Sequence, residues 1–342
     1  QESSSGKQRR RRRLCVCTRI HQNNANRPVD LVKVVREFLD SALLYADSIA
    51  IAVGSPPPPP PPTTAAAANA ATELATGEGQ QSHAGSTLLQ MISRTAGEAE
   101  RESGDDAAGA AGASAAAANA EAAAADIADI AAAAAAPVIS VFEVAPWGKF
   151  TPALNALLGF AARDGAELVM FQSLETTVGQ DAVSNMEAHL RVDDLVVGAV
   201  LTGHAFGGVG GGSEGGMVEV ELTGITTPWN TLALWDVGKL AKLGFLGVAE
   251  GLLPGVPAGV EEVTAIAALQ ALLGAERARA KLVRLPQASL FQGRGRRIRW
   301  QTAWEDEGRR QWHESKMSSK VERAEKQMLA LGVKRGVVAH VW

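Results

Sequence analysis

Residues 146–175 of this 342-residue chain read PWGKFTPALNALLGFAARDGAELVMFQSLE. In the first half, the apolar residues of Pro152 to Ala162 have the spacing that predicts a helix. After Gly165, the segment Ala166 to Phe171 (AELVMF) is a short apolar run, which predicts a strand buried on both faces. Strands of that kind lie inside parallel sheets, so we expect this one to be central in such a sheet.

Segments with strand and helix character alternate on both sides of this stretch. The other predicted strands are residues 14–20 (LCVCTRI), 48–53 (SIAIAV), 138–144 (VISVFEV), 195–201 (LVVGAVL) and 218–222 (VEVEL). Further helices are predicted at residues 30–44 and 182–190. This alternation predicts an α/β fold, in which helices cover both faces of a mostly parallel sheet. Because such sheets bind ligands at the carboxyl ends of their strands, the residues that follow Phe171 and Leu201 are site candidates.

Composition divides the chain into segments. Residues 1–13 end in five arginines and are predicted to form a disordered basic tail. Residues 55–136 contain seven consecutive prolines followed by Ala-rich sequence, which predicts a long, disordered low-complexity insertion. We therefore expect one domain assembled from residues 14–54 and 137–290. Residues 291–342 are predicted to form a C-terminal helical extension.

Charge, hydropathy and cysteine content exclude several classes of protein. The chain has 33 basic and 37 acidic side chains, a net charge of −4, so it lacks the positive field of a dedicated nucleic-acid binder. No uncharged apolar run reaches about 18 residues, so we expect no membrane span. Cys15 and Cys17 are too few for a disulfide scaffold and do not by themselves make a zinc site. They indicate a reducing compartment, and we expect a cytoplasmic protein.

The opening stretch resembles family 2 glycosyltransferases of the GT-A fold, whose sheet is Rossmann-like. The matching positions are Gly148, Lys149, Ala153, Leu154, Asn155 and Gly165. The resemblance extends over residues 14–54 and 137–285. It implies that the protein binds a nucleotide sugar and transfers the sugar to a hydroxyl group of an acceptor. It also implies that Lys149 and Asn155 contact this donor.

The chain departs from the family at the position of the Asp-x-Asp metal motif. Gln172, Ser173 and Leu174 stand there, followed by Glu175. A divalent cation needs oxygen ligands to bridge the protein and the donor diphosphate, and Leu174 offers none. We therefore expect no cofactor, or at most weak binding of Mn²⁺ or Mg²⁺, with Gln172, Ser173 and Glu175 as polar contacts to the donor. Basic residues would then neutralise the diphosphate, the candidates being Lys149, Arg296, Arg297 and Arg299.

Glu261 and Glu262 begin a further helix-like run, EEVTAIAALQALL. The helix dipole favours acidic residues in a first turn, so the pair has a purely structural explanation. The resemblance implies instead that these are the acidic pair that carries the catalytic base. In that interpretation, Glu262 removes a proton from the acceptor hydroxyl group. From the sequence, both interpretations stay open.

Three further residues are candidates for acceptor binding. Trp229 and Asn230 lie in residues 226–235 (TTPWNTLALW), where the resemblance implies the acceptor pocket, and His204 follows a predicted strand. An aromatic ring can stack on a sugar, with Asn230 as its polar companion. Tryptophan is also common in cores, and a single histidine is more often a structural hydrogen-bonding residue than a catalyst.

The leading hypothesis is an enzyme, a glycosyltransferase of the hexosyltransferase type, whose partners are a nucleotide sugar and a hydroxyl acceptor. The alternative is a non-catalytic protein of the same fold that binds a ligand or a partner and has lost the metal motif. The two hypotheses differ at residues 172–175. An enzyme must replace the missing carboxylates nearby, whereas a binding protein need not.

Overall fold

The computed structural model describes residues 11–20, 31–54, 93–96, 98, 137–174, 176–207, 216–286 and 307–342. The strands are β1 (Leu14–Ile20), β2 (Ser48–Gly54), β3 (Val138–Val144), β4 (Leu168–Gln172), β5 (Asp194–Ala199), β6 (Met217–Glu221), β7 (Leu232–Asp236), β8 (Arg279–Val283) and β9 (Val337–Val341). The helices are α1 (Leu31–Ala42), α2 (Thr151–Arg163), α3 (Gln180–His189), α4 (Val237–Leu240), α5 (Glu261–Leu273) and α6 (Glu307–Leu331), with a 3-10 turn at Gly247–Glu250. Within these described residues, no helix has the length and apolar character needed to cross a membrane.

The strands of the described residues form one nine-stranded sheet, in the order β3-β2-β1-β4-β7-β5-β8-β9-β6. Five of its eight pairings are parallel, and β7 runs antiparallel to both of its neighbours. Helices flank the sheet, which confirms the predicted α/β class. From β1 the chain winds outward through β2 and β3, and it then returns to place β4 on the other side of β1. The carboxyl ends of β1 and β4 therefore border the crevice in which sheets of this kind bind ligands.

A hydrophobic core lies on each face of the sheet, and strand β4 contributes to both. All five residues of β4 are buried. Val169 packs on one face in a cluster with Leu157 of α2. Met170 points to the other face, in a cluster with Phe38 of α1, because successive side chains of a strand alternate. The prediction of a central, doubly buried strand at Ala166 to Phe171 is confirmed.

The segment 55–136 separates β2 from β3 in the chain, yet these two strands are parallel neighbours in the sheet. The chain thus leaves the sheet and re-enters it at adjacent positions, as expected of an insertion. Apart from residues 93–96 and 98, this segment lies outside the described residues. Ala96 is buried against the core that includes α1, so this part of the segment contacts the domain.

Residues 11–13, which the sequence places in a disordered tail, contact the domain. Arg13 donates to both carboxyl oxygens of Asp164 at 3.2 Å, and Arg12 donates to the carbonyl oxygen of Leu190 at 2.7 Å. These arginines directly precede β1, so pairing of β1 in the sheet brings them against the ends of α2 and α3. The predicted tail is therefore wrong for residues 11–13, and residues 1–10 lie outside the described part of the chain.

The C-terminal segment ends in a strand, which the sequence analysis does not predict. After α6, strand β9 pairs in parallel with β8 and antiparallel with β6. Val338 is buried there in the same core as residues of helices α2 and α5. The predicted helical extension at 291–342 therefore includes an internal strand of the sheet, while residues 287–306 are not described. A five-residue run such as VVAHV has no local feature that identifies its partners, because strand pairing is decided by distant residues.

We expect the variant Val169→Asp to lose its cooperative fold. Val169 has no exposed surface, and an unpaired buried charge costs several kcal/mol, comparable to the roughly 5–15 kcal/mol that stabilises a typical domain. The matched control is Val138→Asp on the edge strand β3, where the valine is 60% exposed. Urea unfolding followed by circular dichroism compares the two. A cooperative Val169→Asp transition at the wild-type midpoint would contradict the assignment of β4 to the core.

Candidate functional site

A cavity of about 270 Å³ lies at the carboxyl ends of β1 and β4. Strand β7 runs antiparallel to β4, so the residues that precede it reach the same edge of the sheet, and the N-terminus of α5 completes the wall. The predicted site residues in the lining are Gln172, Ser173, Asn230, Glu261 and Glu262. The lining does not include Lys149, Asn155, His204 or Trp229. The structure thus brings together both predicted catalytic residues, one predicted acceptor residue and part of the predicted donor set.

Glu262 lies in the first turn of α5 with its carboxyl group buried in the cavity wall. The backbone N–H of Asn230 donates to Glu262 Oε1 at 2.8 Å. Burial raises the pKa of Glu262 to about 7, with a further contribution from the charge of Glu261, against opposing effects of the Asn230 hydrogen bond and the Lys320 charge. A carboxyl group that titrates near neutral pH is suited to general acid–base catalysis.

The residue before this pair has a strained backbone. Val260 adopts φ of 52° and ψ of 39°, a left-handed conformation that is unfavourable for a β-branched residue. Its side chain is buried in the core. Such strain, of order 1–3 kcal/mol, persists only where the surrounding packing enforces it, and it is concentrated at functional sites. The packing of Val260 thereby fixes where α5 begins and where Glu261 and Glu262 lie relative to the cavity.

Arg19, near the end of β1, is a site residue that the sequence analysis does not identify. Its Nη2 donates to Glu261 Oε1 at 3.3 Å, and its Nη1 donates to the carbonyl oxygen of Phe150 at 2.9 Å. Arg19 therefore links β1, α5 and the loop before α2, and it compensates the charge of Glu261. The sequence does carry a signal here, because Thr18 and Arg19 near the end of a mostly apolar strand mark the point where that strand reaches a polar edge.

The loop before α2, where the sequence predicts a donor contact at Lys149, binds a carboxylate of the chain itself. The backbone N–H groups of Lys149, Phe150 and Thr151 donate to the carboxyl oxygens of Glu250. Burial would raise the pKa of Glu250, but these hydrogen bonds outweigh burial and lower it. Glu250 thus occupies the anion position at the N-terminus of α2. Only the exposed side chain of Lys149 is left for the predicted contact with a diphosphate.

Asn155 makes structural hydrogen bonds at the position where a donor contact is predicted. Its Nδ2 donates to the carbonyl oxygen of Phe245 at 2.9 Å, and its Oδ1 accepts from the backbone N–H of Phe245 at 2.8 Å. The side chain therefore ties α2 to the loop before the 3-10 turn. Gly244 is required beneath it, since a Cβ atom there would lie 2.7 Å from Asn155 Oδ1. The two hydrogen bonds to Phe245 explain the presence of an asparagine at this position without a ligand.

Gln172 is also engaged inside the protein. Tyr45 Oη donates to Gln172 Oε1 at 2.8 Å, and Gln172 Nε2 donates to the carbonyl oxygen of Thr176 at 2.7 Å. The residue is only 2% exposed. Although Gln172 belongs to the cavity lining, its amide group serves to hold the segment after β4 in place. The predicted role of its carbonyl oxygen towards a donor or a metal ion is not supported by these contacts.

The described residues of this segment do not fit a divalent cation. Gln172 is engaged as above, Leu174 has no ligand atom, and Ser173 lines the cavity while its backbone N–H donates to the carbonyl oxygen of Thr231 at 3.0 Å. Across the described part of the chain, no three His, Cys, Asp or Glu side chains form a group that could hold a metal. The remaining predicted donor-side residues lie outside the described residues: Glu175, Arg296, Arg297 and Arg299.

Trp229 is packed inside the protein and presents no open ring face to the cavity. It is 3% exposed, and its Nε1 donates to the carbonyl oxygen of Gly224 at 2.9 Å. The ring stacks on His204 with 3.7 Å between centroids, and Lys320 Nζ lies 3.3 Å from the ring centroid. The predicted stacking of Trp229 on a sugar is therefore corrected: its ring contacts are made within the chain.

His204 is a neutral structural histidine. Its Nδ1 accepts from the backbone N–H of Leu201 at 2.8 Å, which leaves Nε2 to donate to the carbonyl oxygen of Thr227 at 3.0 Å. Burial lowers the pKa of His204 to about 3. The predicted acceptor contact of His204 is corrected in favour of the structural alternative, because both ring nitrogens bond the backbone.

Comparisons with known proteins give distant structural similarity. No protein-family model matches the chain, and no curated protein matches it in sequence. The mannosyltransferase PcManGT from Pyrobaculum calidifontis, in complex with GDP-Man and Mn²⁺, is similar to 81% of this chain, with 11% identity and a TM-score of 0.40. The match spans 55% of that protein's own chain. At this identity and TM-score, the similarity does not assign the chain to a family or to an activity.

The raised pKa of Glu262 predicts a characteristic dependence of stability on pH. Between the unfolded carboxyl pKa of about 4.3 and the folded value of about 7, the folded state holds a proton that the unfolded state releases. The free energy of unfolding therefore falls as pH rises through this window, and it levels off above pH 7. Glu262→Gln removes the titration and keeps an oxygen for Asn230 N–H. Its stability relative to wild type should rise by roughly 3 kcal/mol across the window.

Urea unfolding of both proteins from pH 4.5 to 7.5 measures this difference. The charged groups around Glu262, namely Glu261, Arg19 and Lys320, are the same in both proteins and largely cancel in the comparison. The control is Glu219→Gln, which removes an exposed carboxyl group on β6, away from the cavity. A pH-independent difference between Glu262→Gln and wild type would show that Glu262 is ionised throughout.

Proposed function

We propose that this protein is a glycosyltransferase that moves a sugar from a nucleotide sugar to a hydroxyl group of an acceptor, with Glu262 as the general base. The observation that carries the proposal is the buried carboxyl group of Glu262 in the cavity at the carboxyl ends of β1 and β4. This crevice is the place where an α/β sheet of this winding binds ligands. The likeness of the Gly148 to Gly165 stretch to family 2 glycosyltransferases supplies the reaction class.

In the proposed reaction, the acceptor O–H group gives its proton to Glu262 while its oxygen attacks the anomeric carbon. The bond from that carbon to the diphosphate oxygen breaks in the same direct displacement, and the nucleoside diphosphate leaves with the bonding electrons. Glu262 titrates near neutral pH, so a substantial ionised fraction is available as the base. Arg19 is already paired with Glu261. The charge of the diphosphate would therefore be met by Lys149, which adjoins Phe150 beside Arg19, or by Arg296, Arg297 and Arg299.

A non-catalytic ligand-binding protein is the second candidate, and one specific observation favours it. At two positions where the resemblance implies donor contacts, the polar groups bond within the protein: the amide of Gln172 and the backbone N–H groups that bind Glu250. A chain that had lost the reaction would be free to replace donor contacts in this way. The two candidates share the cavity and differ in whether Glu262 transfers a proton.

We also infer a reducing, cytoplasmic location. Cys15 and Cys17 are free and buried on β1, with 3.7 Å between their sulfur atoms. Free thiols this close together persist where the surroundings keep them reduced. The location remains a prediction, and fractionation of cells that express the protein tests it.

We expect Glu262→Gln to slow sugar transfer strongly while donor binding persists. Removal of a general base acts on the transition state, so turnover should fall by about 10²–10⁴-fold with donor affinity within about twofold of wild type. Calorimetry with a panel of nucleotide sugars measures binding, and product formation measures transfer. Glu219→Gln is the control that loses a carboxyl group outside the cavity.

Full transfer activity in Glu262→Gln would eliminate this mechanism. A wild-type protein that binds none of the nucleotide sugars, in the presence or absence of Mn²⁺, would favour the non-catalytic candidate. Because the described residues after β4 do not fit a cation, a chelator should change donor binding by less than about twofold.

A further inference from the structure

The side chain of Asn230 has a fixed orientation in the cavity wall. Its Oδ1 accepts a hydrogen bond from Trp235 Nε1 at 3.1 Å. An indole N–H group is a donor only, so the amide oxygen must face Trp235 and the amide nitrogen must face the other way. Asn230 Nδ2 is buried and has no hydrogen-bond partner among the described residues. A buried NH₂ group without a partner is costly, which indicates that something outside these residues accepts from it.

The same residue adjoins the proposed base. Asn230 N–H donates to Glu262 Oε1 at 2.8 Å, and both residues line the cavity. Two neighbouring residues of the wall therefore carry an amide nitrogen without a partner and a carboxyl group. A hydroxyl group matches this pair, because its oxygen can accept from Nδ2 while its hydrogen is donated to the carboxyl group.

The charges of the wall limit the ligand further. Of the lining residues that the structure describes, the charged ones are Arg19, Glu261 and Glu262. Arg19 and Glu261 form an ion pair at 3.3 Å, so their charges compensate each other. The remaining charged residue of the described lining is Glu262, whose carboxyl group is neutral or negative. An anion in this cavity would find no uncompensated positive charge in the described lining and would be repelled whenever Glu262 is ionised.

We propose that the cavity binds an uncharged polyhydroxyl compound, one hydroxyl group of which accepts from Asn230 Nδ2 and donates to Glu262. Asn230 is then the residue that selects and positions this hydroxyl group, and the phosphates of any donor lie outside the cavity. The identification of that hydroxyl as the reacting acceptor group rests on the proposed function. The binding site itself does not, since a non-catalytic protein would bind the same compound through the same two residues.

Saturation-transfer NMR and calorimetry at pH 6.5 test the proposal with defined probes. The uncharged probes are methyl mannoside, methyl glucoside, myo-inositol and glycerol, and the anionic probes are mannose 6-phosphate and glucuronate. The informative variant is Asn230→Asp, which keeps the oxygen for Trp235 and the backbone N–H for Glu262 but replaces the NH₂ donor by an oxygen. Asn185→Asp on α3 is the matched control, because Asn185 also has one buried amide atom without a partner in the described residues but does not line the cavity.

We expect wild type and Asn185→Asp to bind at least one uncharged probe in preference to the anionic ones, and Asn230→Asp to bind it at least about tenfold more weakly. Equal affinity in Asn230→Asp, preference for the anionic probes, or no binding of any uncharged probe would each overturn the proposal. The preference of wild type is measured without a variant, so the test stands even where Asn230→Asp does not fold.

Sugar transfer, measured in parallel, separates this inference from the proposed function. Probe binding that depends on Asn230, in a protein that transfers no sugar, would uphold the site and reject the enzyme. Unchanged transfer to a hydroxyl acceptor by Asn230→Asp would uphold the enzyme and reject the role of Asn230.

Discussion

The register of the buried strand β4 fixes the position of the candidate site. It pairs in parallel with β1 and antiparallel with β7, so the last residues of β1 and β4 and the residues before β7 meet at one edge. A shift of one residue would exchange Val169 and Met170 between the two close-packed cores, where side chains of different volume would not fit. Because both faces of β4 are covered, no such shift is tolerated. The edge at which Arg19, Gln172 and Asn230 converge is a consequence of that packing.

Much of the fold could be predicted from the sequence, because the pattern is local. Short apolar runs alternating with helical spacing predict an α/β sheet, and a run as apolar as AELVMF predicts a central strand. The strands β7, β8 and β9 are absent from the sequence-based prediction. Their segments are as short as five residues, and the antiparallel placement of β7 and the position of β9 beside β8 depend on the partners available in the folded sheet. The contacts of Arg12 and Arg13 with the ends of α2 and α3 were missed for the same reason.

The site could be predicted less completely, and the reason is physical. Motif spacing shows which segments reach the ligand-binding edge, but not whether their polar groups are already bonded within the protein. Glu250 is distant in sequence from the loop before α2, yet its carboxylate accepts hydrogen bonds from three backbone N–H groups of that loop. The side-chain amide of Gln172 is likewise already hydrogen-bonded, to Tyr45 and Thr176. Among the predicted residues, Glu262 and Asn230 keep side-chain groups suited to contact a ligand in the cavity.

The two acidic residues at the start of α5 have different surroundings, because Arg19 forms an ion pair with Glu261. A position in the first turn of α5 favours ionised carboxylates by about 0.3–1 kcal/mol at an exposed site. A pKa of about 7 for Glu262 means that burial and the charge of Glu261 disfavour its ionised form by roughly 3 kcal/mol, so these effects exceed that of the helix dipole. Glu261 is also buried, but it forms an ion pair with the Arg19 guanidinium at 3.3 Å. An ion pair between Arg19 and Glu262 instead would lower the pKa of Glu262 and remove the proton-exchanging group from its place beside Asn230.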